Sequence, residues 1–162
     1  MRIEQIVKQT ILRHGLITNG DRVLVGLSGG KDSMALLSLL AERSHIFNPR
    51  FEVQAAYVRM TNIPYKNDEA RLQEFCDRLG VPLHVVETSF DASTDHRHTP
   101  CYLCSHYRRR ELFLLAEKLG CQKLALGHHL DDVVHTALLN IIHQGSFSAF
   151  SPKMEMKHYP LT

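Results

Sequence analysis

Residues 26–33, Gly26-Leu27-Ser28-Gly29-Gly30-Lys31-Asp32-Ser33, decide how the rest of the chain folds, because a strand runs into them and a helix runs out. Arg22-Val23-Leu24-Val25 reads as a short buried strand. From Ser33 to Ala41 apolar residues recur at helical spacing, with Met34, Leu37, Leu40 and Ala41 on one side. Adjacent glycines permit a tight turn in which backbone N–H groups converge without Cβ atoms in the way. The first turn of the following helix leaves its own N–H groups unpartnered and slightly positive. Such a turn suits a phosphate. Lys31 adds a positive charge toward the anion, Ser28 and Ser33 offer hydroxyl donors, and Asp32 offers carboxylate oxygens to a divalent cation bridging phosphate oxygens. The plainer reading is a strand-to-helix turn with Ser33 as its cap.

Outward from this turn, the chain alternates. Residues 3–14 read as a leading amphipathic helix closed by Gly15, with Asn19-Gly20-Asp21 turning into the first strand. The helix over 33–43 returns, past the Asn48-Pro49 break, to a second strand over Phe51–Val58. A helix over Asn67–Leu79 stops at Gly80, and Pro82 to Val86 supplies a third strand. Residues 88–100 are a polar loop of a length more often functional than merely connecting. A helix over Cys101–Leu119 follows, with Cys104, Arg108, Leu112, Leu115 and Leu119 on one face. Then come a fourth strand, Lys123–Leu126, the loop Gly127–Asp132, a helix over Val133–His143, and a new strand starting near Pro160-Leu161-Thr162. Strands alternating with helices imply an α/β fold, a parallel sheet with helices on both faces. Ligands of such sheets bind beyond the carboxyl ends of the strands, where the strand order reverses. The glycine turn, the end of the second strand at Tyr57-Val58-Arg59, the polar loop and the Gly127–Asp132 loop all lie on that edge.

With 162 residues, 44% of them hydrophobic, one domain with a sizeable core is expected rather than two. The formal charge of +2 points to no bulk attraction for nucleic acid, so any such surface has to be a local basic patch. Arg2, Glu4, Lys8 and Arg13 interrupt the N-terminal apolar residues, unlike a signal peptide, and no apolar run is long enough for a bilayer, so a cytoplasmic protein without membrane contact is expected. Four cysteines, two of them spaced as Cys101-x-x-Cys104, favour a metal or redox site over a disulfide framework.

Two further constellations bear chemistry. Gly127-His128-His129-Leu130-Asp131-Asp132 puts carboxylates at a second helix start, where the dipole favours them as simple caps. Alternatively Asp132, meeting Asp32 across the site, holds Mg²⁺ on ATP phosphates, with Gly127 letting the nucleotide approach the backbone. His128 and His129 are second-rank proton carriers. His96-x-His98-x-x-Cys101-x-x-Cys104-x-His106 places two thiols at a third helix start, with their pKa values lowered by the dipole. A structural zinc using two histidines, a redox dithiol, and an iron–sulfur cluster needing at least one more thiolate all remain open. Cys76 and Cys121 fall where core packing is expected.

Ser28-Gly29-Gly30-Lys31-Asp32-Ser33 resembles the pyrophosphate loop (PP-loop) of the N-type ATP pyrophosphatases, which split ATP into AMP and pyrophosphate while adenylating a carbonyl oxygen. It lacks the four residues that a Walker loop has between its first glycine and Gly-Lys. Together with Cys101-x-x-Cys104, Gly127–Asp132, Leu138-Leu139-Asn140 and Ser151-Pro152-Lys153, it closely resembles the tRNA 2-thiocytidine synthetase family over nearly the whole chain. The related tRNA-isoleucine lysidine synthetases are similar at the first and last loops but generally lack this cysteine pair.

The resemblance implies an adenine nucleotide alpha hydrolase-like three-layer sandwich. It also implies adenylation of a cytidine carbonyl in tRNA, followed by replacement of that oxygen with sulfur carried on a [4Fe–4S] cluster. By it, Lys31, Asp32 and Asp132 are catalytic. ATP is held by Gly26, Ser28, Gly29, Gly30, Lys31, Asp32, Ser33, Val58, Arg108, Gly127 and Asp132, with Mg²⁺, and Cys101 and Cys104 are metal ligands. The family's third cysteine ligand lies downstream of the last loop. The expectation is therefore one PP-loop domain over 1–162 without the C-terminal part of the family's chain, with zinc as the alternative metal. Partners implied are ATP, tRNA and a sulfur donor protein or sulfide, and a homodimer is an assembly the resemblance allows. Arg109 and Arg110 face elsewhere as candidates for tRNA phosphate, or are a solvated surface paired with Glu111 or Glu117. Rival functions are another PP-loop ligase, such as a lysidine synthetase with a structural zinc, and a non-catalytic ATP-binding module.

Overall fold

A computed structural model describes residues 2–46, 48–64, 68–91, 98–156, 159, 161 and 162. In chain order these form α1 (Ile3–His14), β1 (Arg22–Leu27), α2 (Lys31–Ser44), β2 (Glu52–Met60), α3 (Glu69–Leu79), β3 (Leu83–Thr88), α4 (Pro100–Lys118), β4 (Lys123–Leu126) and α5 (Leu130–Gln144). The strands make one sheet in the order β3-β2-β1-β4, and every pairing is parallel.

Alternation of side chains along β1 builds the layers. Val23, Val25 and Leu27 point into a core with Leu37, Leu40 and Ala41 of α2, Cys76 of α3 and Ile11 of α1. Leu24 points the other way, joining Ala56 and Val58 of β2 and Leu112 and Ala116 of α4. Covered on both faces, β1 is apolar in its interior, Val23 to Val25, which is why these residues read as a continuous run, and only Arg22 at its start is exposed. The result is the expected three-layer α/β arrangement. Because β1 has β2 on one side and β4 on the other, the strand order reverses between β1 and β4, and a crevice opens at their carboxyl ends.

Several boundaries differ from the sequence expectation for identifiable reasons. Helices α2 and α5 begin at Lys31 and Leu130, two and three residues early, so Asp32, Asp131 and Asp132 sit inside first turns, where the helix dipole favours carboxylates. Strand β2 continues to Met60 because Arg59 pairs in register with Glu87 of β3 and forms a salt bridge to it. Helix α3 starts at Glu69 behind Asp68, whose side chain accepts from Arg71 N; the expected start at Asn67 lies outside the described residues, as do His96 and Pro160. Thr162 brackets Lys123 in the parallel pattern, donating its N–H to Gln122 O at 3.0 Å and accepting from Leu124 N at 2.9 Å, where the sequence suggested a new strand.

Helix α5 has no buried residue, and Leu130, Val134, Leu138 and Ile142 are exposed along it. No helix among the described residues is long and apolar enough to cross a membrane.

Candidate functional site

The crevice between the ends of β1 and β4 is a cleft of about 720 Å³. The turn after β1 gives it Gly26, Ser28, Gly30, Asp32 and Ser33; the end of β2 gives Tyr57 and Val58; the first turns of α4 give Cys101, Cys104, Ser105, Arg108 and Arg109; and the start of α5 gives Gly127, His128, His129 and Asp132. Of the residues that the resemblance implies as catalytic, ATP-binding or metal-ligating, all but Gly29 and Lys31 line it. A second hollow of about 540 Å³ lies at the opposite edge, among turn residues such as Asn19, Gly20, Arg50 and Pro82, away from the carboxyl ends of the strands.

The turn after β1 is knotted by its own hydroxyls. Ser28 N donates to Ser33 Oγ at 3.1 Å, Gly30 N donates to Ser28 Oγ at 3.3 Å, and Ser33 Oγ in turn donates to Gly30 O at 3.0 Å. The two hydroxyl oxygens are themselves 3.1 Å apart. The serines therefore shape the turn from within, where the sequence suggested donors reaching outward to phosphate. Gly29 has φ +79°, a conformation that a side chain strains. The first bond of α2 runs from Met34 N to Gly30 O, and the N-cap Gly30 has no side-chain cap. The amides of Lys31, Asp32 and Ser33 thus have no acceptor among the described residues, and they carry the positive end of the helix dipole.

Gly127 meets this turn head-on. A Cβ there would lie 2.8 Å from Ser33 N and 2.9 Å from Ser33 Cα, so its missing side chain is what lets the two helix starts touch. That close approach is one of protein backbone, and Gly127 also lines the cleft. At Gly26 the neighbours are movable side-chain ends, Leu126 Cδ2 at 2.9 Å and Leu112 Cδ1 at 3.1 Å.

Charges are distributed unevenly around the cleft. Lys31 Nζ donates to Asp32 Oδ1 at 2.8 Å, and that bond, with a smaller contribution from Asp132, raises the lysine pKa above its ordinary value. Asp132 Oδ2 accepts from His129 N at 2.8 Å, the main reason its pKa is lowered, and lies 3.6 Å from His129 Nδ1. Capping is thus realised at Asp132. Each carboxylate still keeps one oxygen without a protein partner among the described residues. Arg59, at the end of β2, is held by Glu69 at 2.9 Å and by Glu87, and does not line the cleft. Arg108 does line it, and its buried Nε makes no hydrogen bond among the described residues. A buried donor without an acceptor costs on the order of 1–3 kcal/mol, which an anion in the cleft would remove.

Helix α4 starts with Thr99 as cap, accepting from Tyr102 N at 3.3 Å, and Pro100 in its first turn. This sets Cys101 exposed and Cys104 half-buried on the cleft side, both as free thiols. Cys76 and Cys121 are buried in opposite layers, as core packing predicts; burial pushes the Cys76 thiol up to about 11 and raises that of Cys121. Of the histidines of the zinc alternative, His98 stacks on Tyr102 and His106 meets Tyr107 edge-on, while His96 lies outside the described residues. Among the described residues no three His, Cys, Asp or Glu side chains gather as a metal site. Sequence reasoning placed Arg109 outside the site. Its position four residues beyond Ser105, itself four beyond Cys101, was the signal that α4 turns a broader face to the cleft.

The PP-loop domain model matches residues 1–159. The tRNA-cytidine(32) 2-sulfurtransferase of Bdellovibrio bacteriovorus is 38% identical over 158 residues, covering 96% of this chain and 60% of that protein. The protein of the same name from Chromohalobacter salexigens is 36% identical, covering 94% and 55%. Among solved structures, the U34-tRNA thiolase NcsA from Methanococcus maripaludis with its [4Fe-4S] cluster superposes with a TM-score of 0.74 at 30% identity, over 88% of this chain and 50% of that one. The chain thus spans between half and three-fifths of the length of these proteins.

Proposed function

The chain belongs to the PP-loop domain family, and from that premise we propose that its cleft binds ATP and adenylates a carbonyl oxygen of a cytidine in tRNA, which sulfur then replaces. In support stands one observation: Asp32 and Ser33, whose amides have no acceptor among the described residues, Arg108, whose buried Nε has none there either, and the Cys101–Cys104 pair all line a single cleft. Residues 1–162 are read as one PP-loop domain.

In this reading the first turn of α2 takes the β- and γ-phosphates through its amides, and Arg108 and Lys31 offset their charge. Asp32 and Asp132 would hold Mg²⁺ through the oxygens they keep free, which would draw charge off the phosphate oxygens. The cytidine O2 attacks the α-phosphorus, the bond from that phosphorus to the bridging α–β oxygen breaks, and pyrophosphate leaves. Sulfur at the sulfide level, from a donor protein or sulfide itself, then attacks C2. The C–S bond forms, the C–O bond breaks, AMP leaves with the former carbonyl oxygen, and a proton is released, so no outside oxidant or reductant is needed.

Cys101 and Cys104 fit two thiolate corners of a [4Fe–4S] cluster, which when bound would present sulfur at the cleft. The described residues supply no third ligand, so no step is routed through it. Here the cysteines' part is to line the wall where the activated base would sit.

The test supplies the full chain with ATP, Mg²⁺ and tRNA under anaerobic conditions and measures the nucleotide products. AMP and pyrophosphate are expected in equal amounts, with Asp32→Asn slower by roughly 10²–10³-fold, the usual effect of removing one transition-state contact. Release of ADP and phosphate, or turnover indifferent to both Asp32→Asn and Asp132→Asn, would overturn the reading.

A further inference from the structure

Helix α4 has a second functional-looking face beside the one that lines the cleft. His98, Tyr102 and His106 follow one another at four-residue steps, and their rings stack: His98 on Tyr102 at 4.4 Å between centroids and 13° between planes, Tyr102 and His106 at 6.1 Å and 11°. All three residues are exposed, Tyr102 to 51%. One turn further along the same stripe come Arg109 and Arg110, also exposed, and neither forms an ion pair among the described residues, so the pairing with Glu111 or Glu117 that a solvated surface would show is missing. Arg109 also lines the cleft, so the two faces share an edge.

We propose that this ladder is a stacking platform for a base of single-stranded RNA flanking the nucleotide held in the cleft, with Arg109 and Arg110 gripping the phosphate between them. The inference rests on the tRNA reading above and extends it by naming the element that holds the RNA. Near-parallel, solvent-facing rings in register accept any planar base, and guanidinium groups without carboxylate partners one turn away suit a phosphate backbone, not an acidic-residue partner on this chain. Recognition of unstacked bases is the usual way proteins read loops of RNA. The geometry also orders the contacts. A strand running from the cleft over Arg109 meets His106 and Tyr102 next, so the platform would hold the neighbour of the reacting base and fix which nucleotide reaches the cleft.

The test uses the full chain, a seven-nucleotide single-stranded RNA carrying 2-aminopurine, and intact tRNA. Wild-type protein is expected to quench the 2-aminopurine on binding. Tyr102→Ala and His106→Ala should lose most of the quench and bind roughly 5- to 150-fold more weakly, the range that loss of one stacked base gives. Tyr102→Phe should keep both properties, and Arg110→Ala should lower the slope of affinity against salt by about one. ATP affinity should be unchanged in every one of these variants, which also reports that they are folded. Unaltered quenching and affinity in Tyr102→Ala and His106→Ala would overturn the platform while leaving AMP and pyrophosphate release, and so the adenylation reading, standing. Tyrosine-dependent binding of an acidic peptide with no binding of RNA would overturn it too, making the face a protein-docking surface. If the platform behaves as expected but ATP yields no AMP, the adenylation reading fails and the RNA surface remains.

Discussion

The turns entering α2 and α5 use similar residues to opposite ends. In the first, serine hydroxyls occupy the amides of Ser28 and Gly30, and the helix's own leading amides are left open. In the second, the acidic side chain of Asp132 turns back to the His129 amide and closes the helix start on itself. One start is open toward an anion, and the other already holds one. The two are pressed together at Gly127, so the difference is a division of labour across a single cleft: amide donors from one side, a carboxylate from the other.

The largest blow to this arrangement should come from Gly127→Ala. Its Cβ would meet backbone atoms at 2.8 and 2.9 Å, and backbone cannot step aside as a side chain can. A loss of about 2–3 kcal/mol is expected, near the upper end for overpacking, read as a fall in Tm of roughly 5–10 °C together with weakened ATP binding. Gly26→Ala serves as the contrast, since it meets only the ends of Leu112 and Leu126 and should cost less; equal costs would mean that the contact between the two starts is not what makes glycine necessary.

Next in size is Gly29→Ala, which imposes a strained backbone at φ +79° for about 1–2 kcal/mol and, unlike Gly127→Ala, should disturb only the open start. Ser33→Ala removes the acceptor of Ser28 N and the donor to Gly30 O. About 1 kcal/mol of stability should go with it, and ATP binding should suffer because the turn loosens; Ser33→Thr, which keeps the hydroxyl, should restore part of both.

How much of this could be read from the sequence depends on which physical signal was needed. Glycine stops, apolar periodicity and the alternation of strand and helix located every element, because those patterns follow from local geometry. Placing the four loops on one edge followed from the parallel sheet. The inward turn of Ser28 and Ser33 was not legible, since a hydroxyl reads the same whether it faces ligand or its own backbone. Nor was the backbone contact at Gly127, which takes two chain segments distant in sequence. Apart from the resemblance, which gave Arg108 to ATP, nothing in the local sequence set Arg108 apart from Arg59 at the end of the second strand. Only three dimensions show that Glu69 and Glu87 occupy one and leave the other open. The helix expected over Val133–His143 carried no signal of how far it would be exposed, and none of the residues of α5 is buried.

The smallest effect expected is the pH dependence of the closed start. Because the pKa of Asp132 is lowered in the folded chain, its contribution is fully present above the ordinary carboxylate range and is lost as pH falls through the folded value. The Tm difference between wild type and Asp132→Asn should therefore be largest near neutrality and close on acidification below about pH 4, the unperturbed carboxylate range. A gap that stays constant with pH would mean that the charge of Asp132 does not cap α5.

The two interior cysteines have a use that has nothing to do with catalysis. Cys76 sits fully hidden on α3 in the core that α2 shares, Cys121 in the core under α4, and with a thiol pushed up to about 11 the former stays unreactive until its layer opens. The sheet thus separates two silent reporters, one for each half of the sandwich. Once the cleft cysteines are blocked, the rates at which the two are alkylated would tell whether the halves breathe together or apart.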